Sequence, residues 1–274
     1  MSVYDLGRRR SVVRPSPLFL GFLAAAVAGG LLAWTKNAAG SRLGDLGVFV
    51  FVLAGWVVTL CLHEFAHAYA AYRAGDRAVE TRGYLTLNPF KYAHPLLSII
   101  LPLLFIMQGG IGLPGGAVYL HQHSFKSRAS RSVAAAAGPL VNLVFGAVLL
   151  TLAKNHGIGV AAFYSGDYGT HGRFWAGVAF LGFLQITAAV LNLLPIPGLD
   201  GYAILEPYLD PQTVATGEKI KPWGLIGVIV LLQLHTLNVQ FFRLVYNICD
   251  LFGSTSILGQ MGHEFFKFWV KSPL

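Results

Sequence analysis

Residues 59–72 read TLCLHEFAHAYAAY, placing two imidazoles and a carboxylate inside a run that is otherwise apolar. Ionisable side chains are costly in hydrocarbon, so His63, Glu64 and His67 there must share a partner or a task. The rest of the chain says that the setting is hydrocarbon. Hydrophobic residues make up 55% of the 274 and charged residues 12%, with a mean hydropathy of +0.60. Ordinary globular domains carry about 25% charged residues. The net charge of +8 does not indicate nucleic acid, because the basic residues are scattered between apolar runs and read as topology signals. Cys61 and Cys249 form no disulfide framework. Cys61 is two residues from His63 and so faces another way on a helix, and it is not expected to be a metal ligand.

Around the quoted stretch, apolar runs recur at membrane-spanning length. Arg8, Arg9, Arg10 and Arg14 precede the first, Pro17 to Trp34. It has the look of a signal peptide, but it approaches the ~20 residues needed to span and no small-residue cleavage site follows, so it reads as a retained helix. The second run, Leu46 to Tyr72, carries the histidines. The third, Pro95 to Met107, is short and interrupted by Pro102, which suits a re-entrant segment. GGIGLPGGAVYLHQH (109–123) then reads as a loop and a short strand. A fourth run covers Ser132 to Ala153 and a fifth Phe174 to Leu194, stopped by Pro195, Pro197 and Gly198. A sixth begins at Trp223 and fades near Leu237, and 241–253 spans or lies at the interface.

The expectation is an all-α polytopic membrane protein of about six transmembrane helices. A re-entrant loop and short β-strand lie between the second helix and the next core helix. Residues 1–45 form a tail and first helix, 46–209 the core, and 210–274 C-terminal transmembrane or interfacial helices. With the N-terminus cytoplasmic and 95–120 returning to the same side, 13 basic residues fall inside and 4 outside, Lys36, Arg42, Lys154 and Arg173. That bias predicts a multi-pass protein of the cell membrane with a cytoplasmic N-terminus.

Residues four apart share a helix face, so His63 and His67 can reach one metal ion. H-E-x-x-H is a zinc metalloprotease signature with the glutamate as general base. Two neutral imidazoles and a carboxylate suit zinc and leave a fourth position open. Asp200, in NLLPIPGLDG (192–201), is the candidate third ligand. The alternative is an ordinary turn aspartate, since Pro-Gly-x-Asp-Gly is turn chemistry. Topology favours the ligand. His63 lies nine residues before Tyr72, ~14 Å from that helix end, and the fifth helix ends on the same side. In AAAAGPLVNLVFGAVLL (134–150), small residues allow close helix approach. Asn142 there either bonds a neighbouring helix or donates to substrate or oxyanion.

The order HEFAH, AGPLVN, NLLPIPGLDG resembles the site-2 protease family of intramembrane zinc metalloproteases, over about Leu46 to Leu209. The resemblance implies that His63, His67 and Asp200 bind zinc and that Glu64 is the catalytic acid/base. It also implies that Asn142 and Asn192 serve substrate binding. GGAVYLHQH would be the family's edge strand, pairing with an unwound substrate by strand addition. The connections between the core runs are too short for the PDZ domain many members carry, so the chain resembles the compact subgroup. Where compact members often have an aspartate before proline, this chain has His94-Pro95.

Other histidines are weaker candidates. His121 and His123 share a strand face but read as a solvated pair at a membrane boundary. His263-Glu264 lacks a second histidine four residues on. The reading that results is an intramembrane zinc endopeptidase acting on transmembrane protein substrates within the lipid bilayer. An inactive zinc-binding scaffold and a transporter with a broken fifth helix are the rivals.

Overall fold

The computed structural model describes residues 13–38, 40–92, 124–156, 165, 167–253 and 256–270. Its first helix, α1 (Pro17–Thr35), starts where Ser16 Oγ accepts from the Phe19 amide and Pro17 fills the first helical position. Helix α2 (Arg42–Ala74) starts four residues before the expected apolar run, capped by the Ser41 hydroxyl, and ends at Gly75 with φ 122°. Its 33 residues measure ~50 Å, more than the ~30 Å of hydrocarbon.

The single turn α3 (Ala78–Thr81) and two 3-10 turns then fold back beneath α2, where Tyr92 is buried and donates to the Tyr84 carbonyl at 3.0 Å. Helix α4 (Arg128–Ala153) opens with a reciprocal capping box between Ser127 and Ser130, and it accommodates Pro139 in its interior. Helix α5 (Gly172–Asn192) is the central post, with 83% of its apolar window buried. After it the chain turns through 194–199 into the short α6 (Asp200–Leu205). Three further helices follow, α7 (Pro211–Ile220), α8 (Gly224–Leu231) and α9 (His235–Leu251), and then α10 (Ser256–Phe266).

The main core forms where α2, α5 and α10 meet. Val48, Val52 and Trp56 pack with Ala176, Phe180, Leu184 and Ala188, and with Leu258, Met261 and Phe265. Leu20, Leu23, Val27 and Leu31 of α1 are exposed, as are Val133, Leu140, Val144, Val148 and Leu152 of α4. Exposed apolar rows on otherwise packed helices are what a lipid-facing surface requires.

Four helices among the described residues, α1, α2, α5 and α4 with its 3-10 extension, are long and apolar enough to cross a membrane. The bent pair of Pro211–Leu231 and His235–Leu251, counted as one span, makes five. Among the described residues, the sixth apolar run is not one helix. Residues 232–234 break it, and the stretch Pro211–Leu231 meets α9 at 95°. Asn238 Nδ2 donates to the Leu232 carbonyl at 3.0 Å, satisfying a backbone group that the break leaves without its helical partner. No strand occurs among the described residues. The expected re-entrant segment and short strand, with His94, His121 and His123, lie outside them.

At the far end of α5 from Asn192, Arg173 is 1% exposed. Its Nε donates to Asp45 Oδ1 at 2.8 Å, and Nη1 donates to the carbonyls of Asn37 and Ala38 at 2.7 and 2.6 Å. One of the four basic residues counted on the outer side is therefore a buried, paired clasp joining the α1–α2 turn to α5.

Candidate active site

His63 and His67 project from one face of α2, and both are buried, at 5% and 6% exposure. Glu64 is beside them at 2%. At 100° per residue it lies about 60° around the helix from His67, the angle three residues subtend. The third element arrives from a distance in sequence. The proline-rich turn ends α5, and α6 begins at Asp200, whose carboxylate meets both imidazoles. His63 Nε2 is 3.3 Å from Oδ2, and His67 Nε2 is 3.4 Å from Oδ1. The two Nε2 atoms are 3.1 Å apart. All three donor atoms lie within 4.8 Å of one another.

Two backbone features hold this arrangement, and neither was visible as a site residue in the sequence. His67 Nδ1 sits 2.7 Å from the Ala134 carbonyl oxygen in α4. A carbonyl only accepts, so Nδ1 carries the proton, and in the neutral ring Nε2 presents a bare lone pair to Asp200 and His63. Gly138, one turn further along α4, makes room for both rings. A Cβ there would lie 2.7 Å from His63 Nε2 and would also run into His67 Nε2. The alanine and glycine of AAAAG were legible as a close-packing surface, but not as the wall of the imidazole pair. Gly201 plays a similar part beside Asp200, because a Cβ there would collide with the Leu193 carbonyl at the end of α5.

The donor set fits zinc. Lone pairs of two imidazoles and a carboxylate face one another, and a cation held among them offsets their like polarity. A tetrahedron with arms of about 2.0–2.1 Å has edges of about 3.3–3.4 Å; the two Nε2 atoms are 3.1 Å apart, and each has a different Asp200 oxygen at 3.3 or 3.4 Å. Asn142 occupies the same face of α4 four residues beyond Gly138 and is 5% exposed. Its Oδ1 is buried and meets no donor among the described residues, so no interhelical hydrogen bond is made through that atom. Asn192, also 5% exposed, is the last residue of α5, at the start of the turn that delivers Asp200.

A histidine-carboxylate cluster walled by long apolar helices fits a membrane metalloprotein. Among curated proteins, the "Putative zinc metalloprotease Rip2" of Mycolicibacterium smegmatis is 52% identical over 260 residues, 95% of this chain and 96% of the relative. Its namesake in Mycobacterium tuberculosis is 49% identical over 265 residues, 97% and 98% of the two chains. The more distant "Putative zinc metalloprotease YwhC" of Bacillus subtilis is 31% identical over 189 residues, covering 68% of this chain and 81% of that one. No family model matches the chain, and no solved structure matches it significantly. The chain belongs to the site-2 protease family of zinc metalloproteases.

Proposed function

We propose that this protein is an intramembrane endopeptidase of the cell membrane, hydrolysing peptide bonds in or near transmembrane segments of membrane protein substrates. One observation carries the reading: the three donor atoms lie within 4.8 Å of one another, and Glu64 sits beside them at 2% exposure on an apolar helix. His63, His67 and Asp200 would hold zinc, which supplies Lewis acidity to the scissile carbonyl and to the attacking water. Glu64 takes the proton from that water and delivers it to the departing amine nitrogen. Asn142 and Asn192 bind substrate backbone, the former with its amide facing the same side of α4 as Gly138. The apolar walls exclude bulk water, so these few polar contacts act at low dielectric.

A transmembrane substrate hides its amides in i→i−4 bonds, so it must unwind before attack, and helix breakers near the cut should assist. The N-terminus is cytoplasmic in this reading, supported by the excess of basic residues on the same side as the arginines before α1.

The test is cleavage of a single-span substrate in proteoliposomes by the wild type and by Glu64→Gln, with bound zinc and ion flux measured in parallel. The expected result is cleavage by the wild type alone, a loss of at least ~10²–10⁴-fold in the variant, equal zinc in both and no flux. Cleavage retained by Glu64→Gln would remove Glu64 from its role. A wild type that binds zinc but cuts nothing would identify a scaffold, and ion flux without cleavage a transporter.

A further inference from the structure

Asp200 must stay within 3.4 Å of two imidazoles although it sits at the first position of a six-residue helix, and so short a helix has little stability of its own. What fixes α6 is α4. Arg131 Nη2 donates to Glu206 Oε1 at 2.9 Å, and Ser132 Oγ donates to the Ile204 carbonyl at 2.6 Å. Glu206 directly follows α6 and is 6% exposed, so its charge is largely withdrawn from water. Both bonds leave the first turn of α4 and seize the far end of the segment that begins with Asp200.

Residues 131, 134, 138 and 142 follow one another at helical spacing along a single face of α4. Along that stripe come the guanidinium holding α6, the carbonyl orienting His67, the glycine admitting both rings, and Asn142. The imidazole face of α2 and the carboxylate of α6 are thus both referenced to the same helix.

We infer that the Arg131–Glu206 pair, aided by Ser132, is a positioning device that holds α6 against α4 so that Asp200 meets His63 and His67 as the third zinc ligand. It rests on the reading of Asp200 as a ligand. Neither residue belongs to the three-donor group, so both act through Asp200. Outer partners that orient metal ligands typically contribute about 10–100-fold to metal affinity. A pair that merely stabilises the fold would act equally on the zinc-free and zinc-loaded protein. A positioning pair acts on the difference between them, because ligand-induced stabilisation follows affinity.

The experiment uses the full chain in detergent micelles, with zinc alone as the probe. Zinc retention is titrated against a graded chelator, and Tm is measured with and without zinc. The variants are Arg131→Leu, Glu206→Gln, Arg131→Lys and the double variant Arg131→Leu/Glu206→Leu. The double variant guards against misfolding, because replacing both members of a part-buried pair by apolar residues leaves no unpaired charge. Arg131→Leu, Glu206→Gln and the double variant should each lose zinc at about tenfold less chelator or lower still, with a smaller zinc-induced rise in Tm. Arg131→Lys should recover most of that loss. If the double variant holds zinc as the wild type does, or if the zinc-induced rise is unchanged while both Tm values fall together, the pair is only structural. A wild type that binds no zinc would instead sink the metal site itself.

Discussion

The Nδ1 atom of His67 lies 2.7 Å from the carbonyl oxygen of Ala134, so an imidazole on α2 takes its orientation from the backbone of α4. Carbonyl-to-imidazole bonds of this kind fix the tautomer and aim the ring, which side-chain identity alone cannot do. Gly138, one turn on, keeps the two helices close enough for the bond to form.

Gly138→Ala should therefore damage the site more than the fold. The added methyl would lie 2.7 Å from His63 Nε2 and would collide with His67, so rings or helix must shift. Overpacking of this kind costs about 1–3 kcal/mol. Because the displaced atoms are donors, zinc content after mild chelation should fall well below that of the wild type. A Gly138→Ala protein with wild-type zinc retention would show that α4 does not wall the cage.

Asp200→Ala and Asp200→Asn should both lower zinc content, since a neutral amide is a far poorer ligand than a carboxylate. His121→Ala and His123→Ala should keep full zinc stoichiometry. Metal analysis of the purified variants separates the two sets. Loss of zinc from the histidine variants alone would move the site to the 109–123 segment.

The parts of this protein written in side-chain pattern were legible, and the parts written in backbone or in long-range contact were not. His63 and His67 announce themselves because spacing of four is a property of one helix. Asp200 was reachable because Pro195, Pro197 and Gly198 end α5 on the side where α2 also ends. The Ala134 carbonyl has no residue-type signature, since every residue has one. Arg131 and Glu206 are 75 residues apart, and nothing local in either stretch refers to the other. The break at 232–234 was hidden because Leu-Leu-Gln-Leu contains neither proline nor glycine, and the stabilising Asn238 lies beyond it. Arg173 looked like an ordinary outer cation because its burial comes entirely from tertiary packing.

That clasp makes a contrasting prediction. Arg173 sits at one end of α5 and Asn192 at the other, ~28 Å apart along the helix. Arg173→Leu deprives Asp45 and the Asn37 and Ala38 carbonyls of their donor. Breaking a fully buried pair costs about 3–5 kcal/mol. The Asp45 side chain remains 22% exposed, so a loss of about 2–3 kcal/mol is expected here. Tm should fall with and without zinc by similar amounts, leaving the zinc-induced difference intact. A selective loss of zinc affinity would mean that the two ends of α5 are coupled.

The last prediction concerns where a substrate is cut. Helix α2 extends to Ala74, so His67 and His63 lie ~10 and ~16 Å from that end at 1.5 Å per residue. The end they approach bears Arg73, Arg77 and Arg82, and in the proposed topology it faces the cytoplasm. Asp200 joins them from beyond the Asn192 end of α5, so in the proposed topology the three residues share the cytoplasmic half and the Arg173 clasp falls in the other. In that topology the short route for water to Glu64 runs from the cytoplasm, not through the apolar core of α2, α5 and α10. Cleavage should fall in the cytoplasmic half of the substrate span and release the fragment inward. Mass spectrometry of the product ends measures the position, and labelling of single cysteines at 77 and 36 from either face measures the orientation. A dominant cut in the outer half, or labelling of position 77 from outside, would reverse the topology and with it the water route assigned to Glu64.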